Sequence, residues 1–272
     1  MNKLHIDIFR KASKTYFYSS LFFPKKIRDD IFILYGFART ADNLVDSIPQ
    51  QRKKFKSFAI KFKKAYEGSK EPDLIVSSFV EMIKRNDIKI SWVNSFLKAM
   101  ESDLSKTKYQ SVAELEKYIY GSASVIGLMI SKILNLPKES YPSAKMLGQS
   151  MQFSNFIRDI QEDNDLGRCY FPQEDLKKFD LKSLHYNEIS LKKNQFKSFI
   201  NFQIKRYLSW QKKAEAGFKY LPKKYRIAIK TASDMYKQTQ MIIQKDPEII
   251  FRKKVKPTAY KVLLTGVKNT FN

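Results

Sequence analysis

Apolar residues recur with the period of an α-helix along most of this chain, and this recurrence constrains the fold more than any other feature. In the segment between Pro24 and Pro49 the apolar positions share one helical face: Ile27, Ile31, Leu34, Phe37, Ala38, Ala41 and Val45. Proline favours the first turn of a helix and positions just beyond its end. Only 8 Gly and 9 Pro occur in 272 residues, which leaves few residues for the tight turns of a β-sandwich or barrel. The sequence therefore predicts an all-α fold.

The same pattern and its punctuation predict the other helices. They are expected at about 51–67, 73–85, 91–104, 142–164, 190–217, 223–245 and 257–267. Ser111 and Glu114 form a capping box that opens a further, deeply buried helix, and this helix ends before Pro137. Neither an internal repeat nor a low-complexity linker divides the chain. We therefore expect residues 1–272 to form a single-domain helical bundle.

Cysteine, histidine and hydropathy restrict the classes of function. A single cysteine, Cys169, rules out an intramolecular disulfide framework and is typical of a reducing compartment. The two histidines, His5 and His185, are far apart in sequence, which excludes a multi-histidine metal site and disfavours a histidine-based triad. No run of about 18 uncharged apolar residues is present. We expect a cytoplasmic protein.

The net charge indicates an anionic partner without specifying it. The chain carries 51 Lys+Arg against 27 Asp+Glu, a formal charge of +24. Such a field attracts nucleic acid, an anionic membrane surface or diphosphate groups, and a merely solvated basic surface is the plain alternative. The chain contains no recognised nucleic-acid-binding module, so we expect no nucleic-acid partner. Contact with the inner face of a membrane is a further hypothesis.

Two polar stripes interrupt the apolar helices. The first is spaced 0, 4, 7 and 11 and consists of Tyr35, Arg39, Asp42 and Asp46. The second is spaced 0, 3, 7 and 11 and consists of Gln152, Asn155, Asp159 and Asp163. At 100° per residue each set falls on one narrow face of a helix. Each stripe therefore places two carboxylates four residues apart.

Like charges at this spacing repel each other, so the repeated arrangement requires a compensating cation. Hard divalent ions such as Mg²⁺ prefer carboxylate oxygens together with water and phosphate oxygens. Two facing stripes could hold a diphosphate through bridging Mg²⁺. A pair of solvated acidic faces is the alternative, but it fits poorly with the apolar residues around both stripes.

Four segments resemble signatures of the squalene and phytoene synthases. Residues 38–46, ARTADNLVD, resemble the first aspartate-rich signature of that family. Residues 152–172, QFSNFIRDIQEDNDLGRCYFP, resemble the second, which is long and specific. Residues 118–123 with Gly127 resemble the central helix, and residues 13–16 resemble the N-terminal element.

The resemblance implies roles for individual residues. It implies that the catalytic residues are Tyr35, Arg39, Tyr118 and Arg158. It implies that the substrate is bound by Ser13, Thr15, Arg39, Gln152, Asn155 and Tyr236. It implies that the metal ligands are Asp42, Asp46, Asn155, Asp159 and Asp163. The implied fold is a helical bundle of the isoprenoid synthase type around a deep central cavity.

The implied activity is that of a prenyl transferase. Two prenyl diphosphates would be condensed head to head through a cyclopropyl intermediate, with Mg²⁺, or Mn²⁺ in its place, as the cofactor. The central helix is more similar to those of phytoene synthases, which favours two geranylgeranyl diphosphates and a role in carotenoid biosynthesis. Squalene, hydroxysqualene or dehydrosqualene synthesis from two farnesyl diphosphates is the alternative. The absence of a Gly-rich dinucleotide motif disfavours NADPH. A non-catalytic relative that acts as an assembly factor is the alternative of another class.

Overall fold

A computed structural model describes residues 3–271, and these residues are predominantly helical with almost no sheet, which confirms the all-α prediction. The α-helices are α1 (Lys3–Ala12), α2 (Lys14–Ser20), α3 (Lys25–Asp46), α4 (Arg52–Tyr66), α5 (Leu74–Arg85), α6 (Ile90–Ser102), α7 (Val112–Ile119), α8 (Val125–Ile133), α9 (Tyr141–Arg158), α10 (Ile160–Asp165), α11 (Gln173–Lys178), α12 (Tyr186–Ile189), α13 (Lys193–Glu215), α14 (Lys223–Lys245), α15 (Ile249–Arg252) and α16 (Ala259–Thr270). Short 3₁₀ segments occupy Lys138–Ser140 and Ala216–Tyr220, and two short strands are β1 (Lys108–Tyr109) and β2 (Cys169–Pro172).

Two of the predicted helices are interrupted. The helix that begins at the Ser111 cap contains a π-helical turn at Tyr120–Ser124, so α7 and α8 are separate segments. The helix expected over 142–164 breaks at Asp159, whose backbone (φ −102, ψ 19) leaves the helical region between α9 and α10. The hydrogen bonds Asp159 N–H to Asn155 O and Asp163 N–H to Asp159 O, both 2.8 Å, continue across the break. The residues of the second polar stripe therefore stay on one face of the chain although the helix is interrupted.

Helix α9 lies at the centre of the bundle and packs against α8, α13 and α14. Its side chains Phe153, Phe156 and Ile157 are fully buried because neighbouring helices surround them. Burial of this kind contributes about 1.5–3 kcal/mol for each large apolar side chain. The stripe that includes Gln152 and Asn155 is consequently held on a rigid element.

Two glycines allow α9 to pack closely against α8 and against the π-helical turn that precedes α8. A Cβ on Gly127 would lie 2.2 Å from the Ala144 carbonyl oxygen, and a Cβ on Gly148 would lie 2.3 Å from the Ala123 carbonyl oxygen. Real Cβ atoms are essentially never found so close to backbone oxygen. Glycine at both positions is thus required for the spacing of the two helices beside the cavity.

We expect Gly148→Ala to lower the free energy of unfolding by about 1–3 kcal/mol, because the new methyl group forces α9 away from the π-helical turn. On helix propensity alone the same change would stabilise the protein by about 1 kcal/mol. The sign of the change in a denaturant titration decides between the two effects, and an increase in stability would contradict the close packing.

The strands β1 and β2 form a two-stranded parallel sheet that connects distant parts of the chain. Cys169 N–H donates to Thr107 O at 2.8 Å, and Lys108 is the register partner of Cys169. This pairing holds Arg168 and Tyr170 against the segment that follows α6. Within residues 3–271, every helix is too short or too polar to span a lipid bilayer.

Candidate active site

A cavity of about 470 Å³ lies among α2, α3, α8, α9 and α14. Its apolar wall includes Phe96, Met100, Ile126, Ile130 and Leu147. All of the site residues predicted from the sequence line this cavity, although they come from distant parts of the chain: Ser13, Thr15, Tyr35, Arg39, Asp42, Asp46, Tyr118, Gln152, Asn155, Arg158, Asp159, Asp163 and Tyr236. The fold therefore brings them together, and the individual roles assigned to them stay predictions.

The first stripe lies on α3, where each carboxylate is paired with an arginine. Asp42 forms an ion pair with Arg39, three residues earlier on the same helix. Asp46 accepts from Arg168 Nη1 at 2.6 Å. Burial, and then the nearby charge of Asp46, raise the pKa of Asp42 to about 7. The two acidic groups of this stripe are thus held close together despite their repulsion.

The second stripe lies on α9 and α10. Asp159 accepts from Arg158 Nε at 2.8 Å and from Arg158 Nη2 at 2.5 Å. Burial opposes ionisation of Asp159, but Arg158 and Lys254 outweigh it and lower the pKa of that carboxyl. Burial, followed by the charges of Asp159 and Asp46, raises the pKa of Asp163 well above its usual range. Asp46 belongs to α3, and the carboxylates of both stripes line the same cavity.

The donor set fits a hard divalent cation. Around the two stripes the donors are carboxylate oxygens and the Oδ1 of Asn155, which is buried without a hydrogen-bond partner among the described residues. Asn155 Nδ2 lies 3.5 Å from Gln152 Oε1, which leaves Oδ1 available. Across residues 3–271, no three carboxylate, imidazole or thiolate groups converge on one point. Three of the four stripe carboxylates, Asp42, Asp46 and Asp159, are instead paired with arginines, so an ion held here would need phosphate oxygens and water to complete its shell.

Aromatic side chains surround the polar residues. Tyr35 stacks on Phe9 with ring centroids 3.8 Å apart, and Tyr16 lies beside Tyr236 with centroids 5.6 Å apart. Burial raises the pKa of Tyr236, and the charge of Arg158 partly offsets this effect. Both Tyr35 and Tyr236 therefore remain neutral phenols at neutral pH, with ring faces and hydroxyls in the cavity wall.

A buried network was not predicted from the sequence. Tyr118 Oη donates to Asp103 Oδ2 at 2.7 Å, and Tyr170 Oη donates to Asp103 Oδ1 at 3.1 Å. Arg168 is 4% exposed and donates to Asp46, to Val45 O at 2.8 Å and to Asp103 O at 3.1 Å. Burial raises the pKa of Asp103 to about 6. Arg168 and Tyr170 belong to the quoted second signature, but no local pattern indicates Asp103.

Two lysines that follow α15 were also not predicted. Lys254 Nζ lies 3.3 Å from Asp159 Oδ1 and 2.5 Å from Glu162 Oε1. Lys256 lines the same cavity, and burial together with the charges of Lys254 and Arg158 lowers its pKa. Together with Arg39 and Arg158 they place four basic side chains in the cavity wall. The site can therefore bind an anionic group at its polar region.

A helical bundle with paired carboxylate stripes, basic side chains and an apolar cavity is suited to an amphiphile with an anionic head and a long hydrocarbon tail. The fold and the site define the class of the protein, which is an all-α bundle with a central cavity for such an amphiphile.

Comparisons with known proteins identify the family. The family model described as squalene/phytoene synthase matches residues 9–261. Over 268 residues the chain is 25% identical to the 15-cis-phytoene synthase of Synechococcus elongatus, which covers 91% of this chain and 85% of that protein. It is 28% identical over 277 residues to the 15-cis-phytoene synthase of Synechocystis sp., with coverages of 94% and 80%. A solved dehydrosqualene synthase in complex with ligand has the same fold, with a TM-score of 0.83, 21% identity and coverages of 98% and 94%.

The chain belongs to the squalene/phytoene synthase family. This family carries out head-to-head condensation of prenyl diphosphates, and the chain is a prenyltransferase.

Proposed function

We propose that this enzyme condenses two geranylgeranyl diphosphates to phytoene. The observation that carries the proposal is the pair of carboxylate stripes, Asp42 with Asp46 and Asp159 with Asp163, in the wall of one cavity that also has an apolar lining. The stripes and the basic side chains match a diphosphate, and the apolar wall matches a prenyl chain. The two similar proteins from cyanobacteria are both named 15-cis-phytoene synthase, which supports the C20 substrate.

The basic side chains stabilise the charge that develops as a diphosphate leaves. Arg39 and Arg158 are fixed by their ion pairs with Asp42 and Asp159, so their guanidinium groups are oriented before the substrate arrives. Lys254 and Lys256 supply further positive charge at the same region. Mg²⁺, or Mn²⁺, held by Asp42, Asp46, Asn155, Asp159 and Asp163 would supply electrostatic stabilisation of the diphosphate oxygens.

The apolar and aromatic wall protects the carbocation that remains. Tyr35 and Tyr118 are predicted to lie close to the reacting carbons, and their ring faces stabilise positive charge through the aromatic quadrupole. The Tyr118 hydroxyl is occupied by its hydrogen bond to Asp103, so the ring orientation is fixed. Apolar side chains such as Phe96 and Ile126 exclude water, which would otherwise capture the cation as an alcohol.

The bond changes balance without a reductant. One diphosphate leaves, its carbocation alkylates the double bond of the second substrate, and one proton is lost as the cyclopropyl diphosphate forms. The second diphosphate then leaves, the carbon skeleton rearranges to the linear product, and a second proton is lost. Two diphosphates and two protons are released for each phytoene, so NADPH has no part in this outcome.

Farnesyl diphosphate is the second candidate substrate. The solved structure with a TM-score of 0.83 is a dehydrosqualene synthase, which supports a C15 alternative on the same fold. The two outcomes share the polar region of the cavity and differ in the length of the apolar chain that must be accommodated.

Incubation of the purified enzyme with each labelled prenyl diphosphate tests the proposal. With Mg²⁺ and geranylgeranyl diphosphate, and without NADPH, we expect mass analysis of the extracted lipid to show phytoene. Removal of the divalent metal with EDTA should abolish the product, and added Mg²⁺ or Mn²⁺ should restore it. A C30 hydrocarbon from farnesyl diphosphate alone would replace the C20 assignment, and no hydrocarbon from either substrate would favour a non-catalytic relative.

A further inference from the structure

Helix α16 carries an exposed apolar stripe. Its members are spaced 0, 3, 4, 7 and 11, which places them within one face of a helix. They are between 37% and 87% exposed and comprise Tyr260, Leu263, Leu264 and Val267 of α16 together with Phe271, the residue that caps its C-terminus. We call this set the α16 stripe. A helix that packs on a bundle normally buries such a pattern, so an exposed apolar stripe indicates a surface that contacts another molecule.

The opposite face of α16 is firmly attached to the bundle. Val262, Gly266 and Asn269 are buried, and a Cβ on Gly266 would lie 2.1 Å from the ring of Phe22. Asn269 Nδ2 donates to Thr231 Oγ1 at 3.2 Å and to Asp234 at 3.0 Å, and Asn269 Oδ1 accepts from Lys230 at 2.8 Å. The α16 stripe therefore faces outward because the other face is already packed.

The charges beside the α16 stripe indicate which kind of surface it contacts. Lys261 and Lys268 are exposed and lie next to each other on the helix surface, along one side of the stripe. The sequence of α16, AYKVLLTGVKNT, contains no acidic residue. At a formal charge of +24 a second copy of the chain would be repelled, whereas an anionic surface would be attracted. Exposed aromatic residues at the ends of the stripe, Tyr260 and Phe271, suit the interface between lipid headgroups and acyl chains.

We propose that the α16 stripe is a docking face for an anionic lipid bilayer. The inference rests on the proposed function in one respect, because a hydrocarbon product must pass into an apolar phase. Helix α16 packs on α2 and α14, and both of these helices line the cavity on their other side. Docking through α16 thus holds the catalytic cavity one helix away from the membrane surface.

Vesicle flotation of the full chain tests the docking face. The probes are vesicles of phosphatidylglycerol and phosphatidylcholine in equal amounts, and vesicles of phosphatidylcholine alone, at low and high salt. The wild-type chain should bind the anionic vesicles more strongly, and high salt should weaken this binding without abolishing it, because burial of the apolar stripe is not screened.

The test variant is the double substitution Tyr260→Glu/Phe271→Glu. It should lower the partition coefficient by roughly 100-fold, since two apolar side chains lose their contact with lipid. The matched control is Ile60→Glu/Leu191→Glu, which makes the same charge change at two exposed apolar residues elsewhere and should lower binding by much less. A second pair, Leu264→Glu/Val267→Glu, should behave as the test variant does.

Vesicle binding is measured without substrate, so its failure is distinguishable from failure of the proposed reaction. Turnover with detergent-dispersed substrate should be the same in the test variants and the wild type. Equal loss of binding in the test and control variants would overturn the docking face. Absence of wild-type binding, together with a dimer that the test variant converts to a monomer, would instead identify a self-association surface.

Discussion

Asp42→Asn should lower kcat by at least about 10³-fold, because the change removes a carboxylate assigned to the metal and the diphosphate while keeping the side-chain shape. The melting temperature should stay the same or rise. Asp42 is half-buried, and burial and the charge of Asp46 both oppose its ionisation, so a neutral amide at this position removes an unfavourable interaction from the folded state. Loss of activity without loss of stability would mark a residue placed for function.

The control for this variant is Asp29→Asn. Asp29 lies on the same helix, α3, but outside the cavity wall, so the same chemical change should leave turnover close to that of the wild type. Steady-state kinetics and thermal unfolding monitored by circular dichroism give both readouts. Unchanged turnover in Asp42→Asn would remove this carboxylate from the site.

Arg168→Gln should lower the free energy of unfolding by about 3–5 kcal/mol. The guanidinium group is almost fully buried and bridges Asp46, the Val45 carbonyl and the Asp103 carbonyl. Its removal leaves the half-buried Asp46 carboxylate without its arginine donor, and the Val45 and Asp103 carbonyls keep only the hydrogen bonds that Gln50 Nε2 donates at 3.1 and 2.9 Å. A decrease of roughly 10 °C in melting temperature is expected for a chain of this size. Turnover should fall as well, because Asp46 loses the group that fixes it.

Two further variants make the result specific. Arg168→Lys keeps the charge but loses the planar group that reaches several acceptors, so its loss of stability should be intermediate. Arg10→Gln removes an exposed ion pair with Asp7 and should change stability by less than about 1 kcal/mol. Equal stability of Arg168→Gln and Arg10→Gln would contradict the role of the buried network.

Local patterns predicted most of the helices. The segment between Pro24 and Pro49 contains α3, and the segment over 223–245 coincides with α14, since in both cases apolar periodicity and punctuation agree. The polar stripes followed from spacing alone, and the structure places both in the wall of one cavity. The sequence could indicate that the stripes exist because each lies within a single stretch of chain.

Features that depend on contacts between distant residues were not predicted. The ion pair between Asp46 and Arg168 joins residues 122 positions apart. It depends on the pairing of β1 with β2, and strands of two and four residues are too short to be recognised in the sequence. The sequence does not indicate the break at Asp159, because the hydrogen bonds on either side of it preserve the helical spacing of the side chains. Helix α2 has only 7 residues, too few for periodicity to reveal it, and is capped by Ser13.

The ratio of diphosphate released to hydrocarbon formed distinguishes head-to-head condensation from hydrolysis. Purified enzyme would be incubated with Mg²⁺ and geranylgeranyl diphosphate, and both products would be quantified in the same reaction. Head-to-head condensation predicts two diphosphates for each C40 hydrocarbon and no accumulation of the prenyl alcohol. Release of one diphosphate for each C20 alcohol, with no new carbon–carbon bond, would show hydrolysis in this cavity and contradict head-to-head condensation.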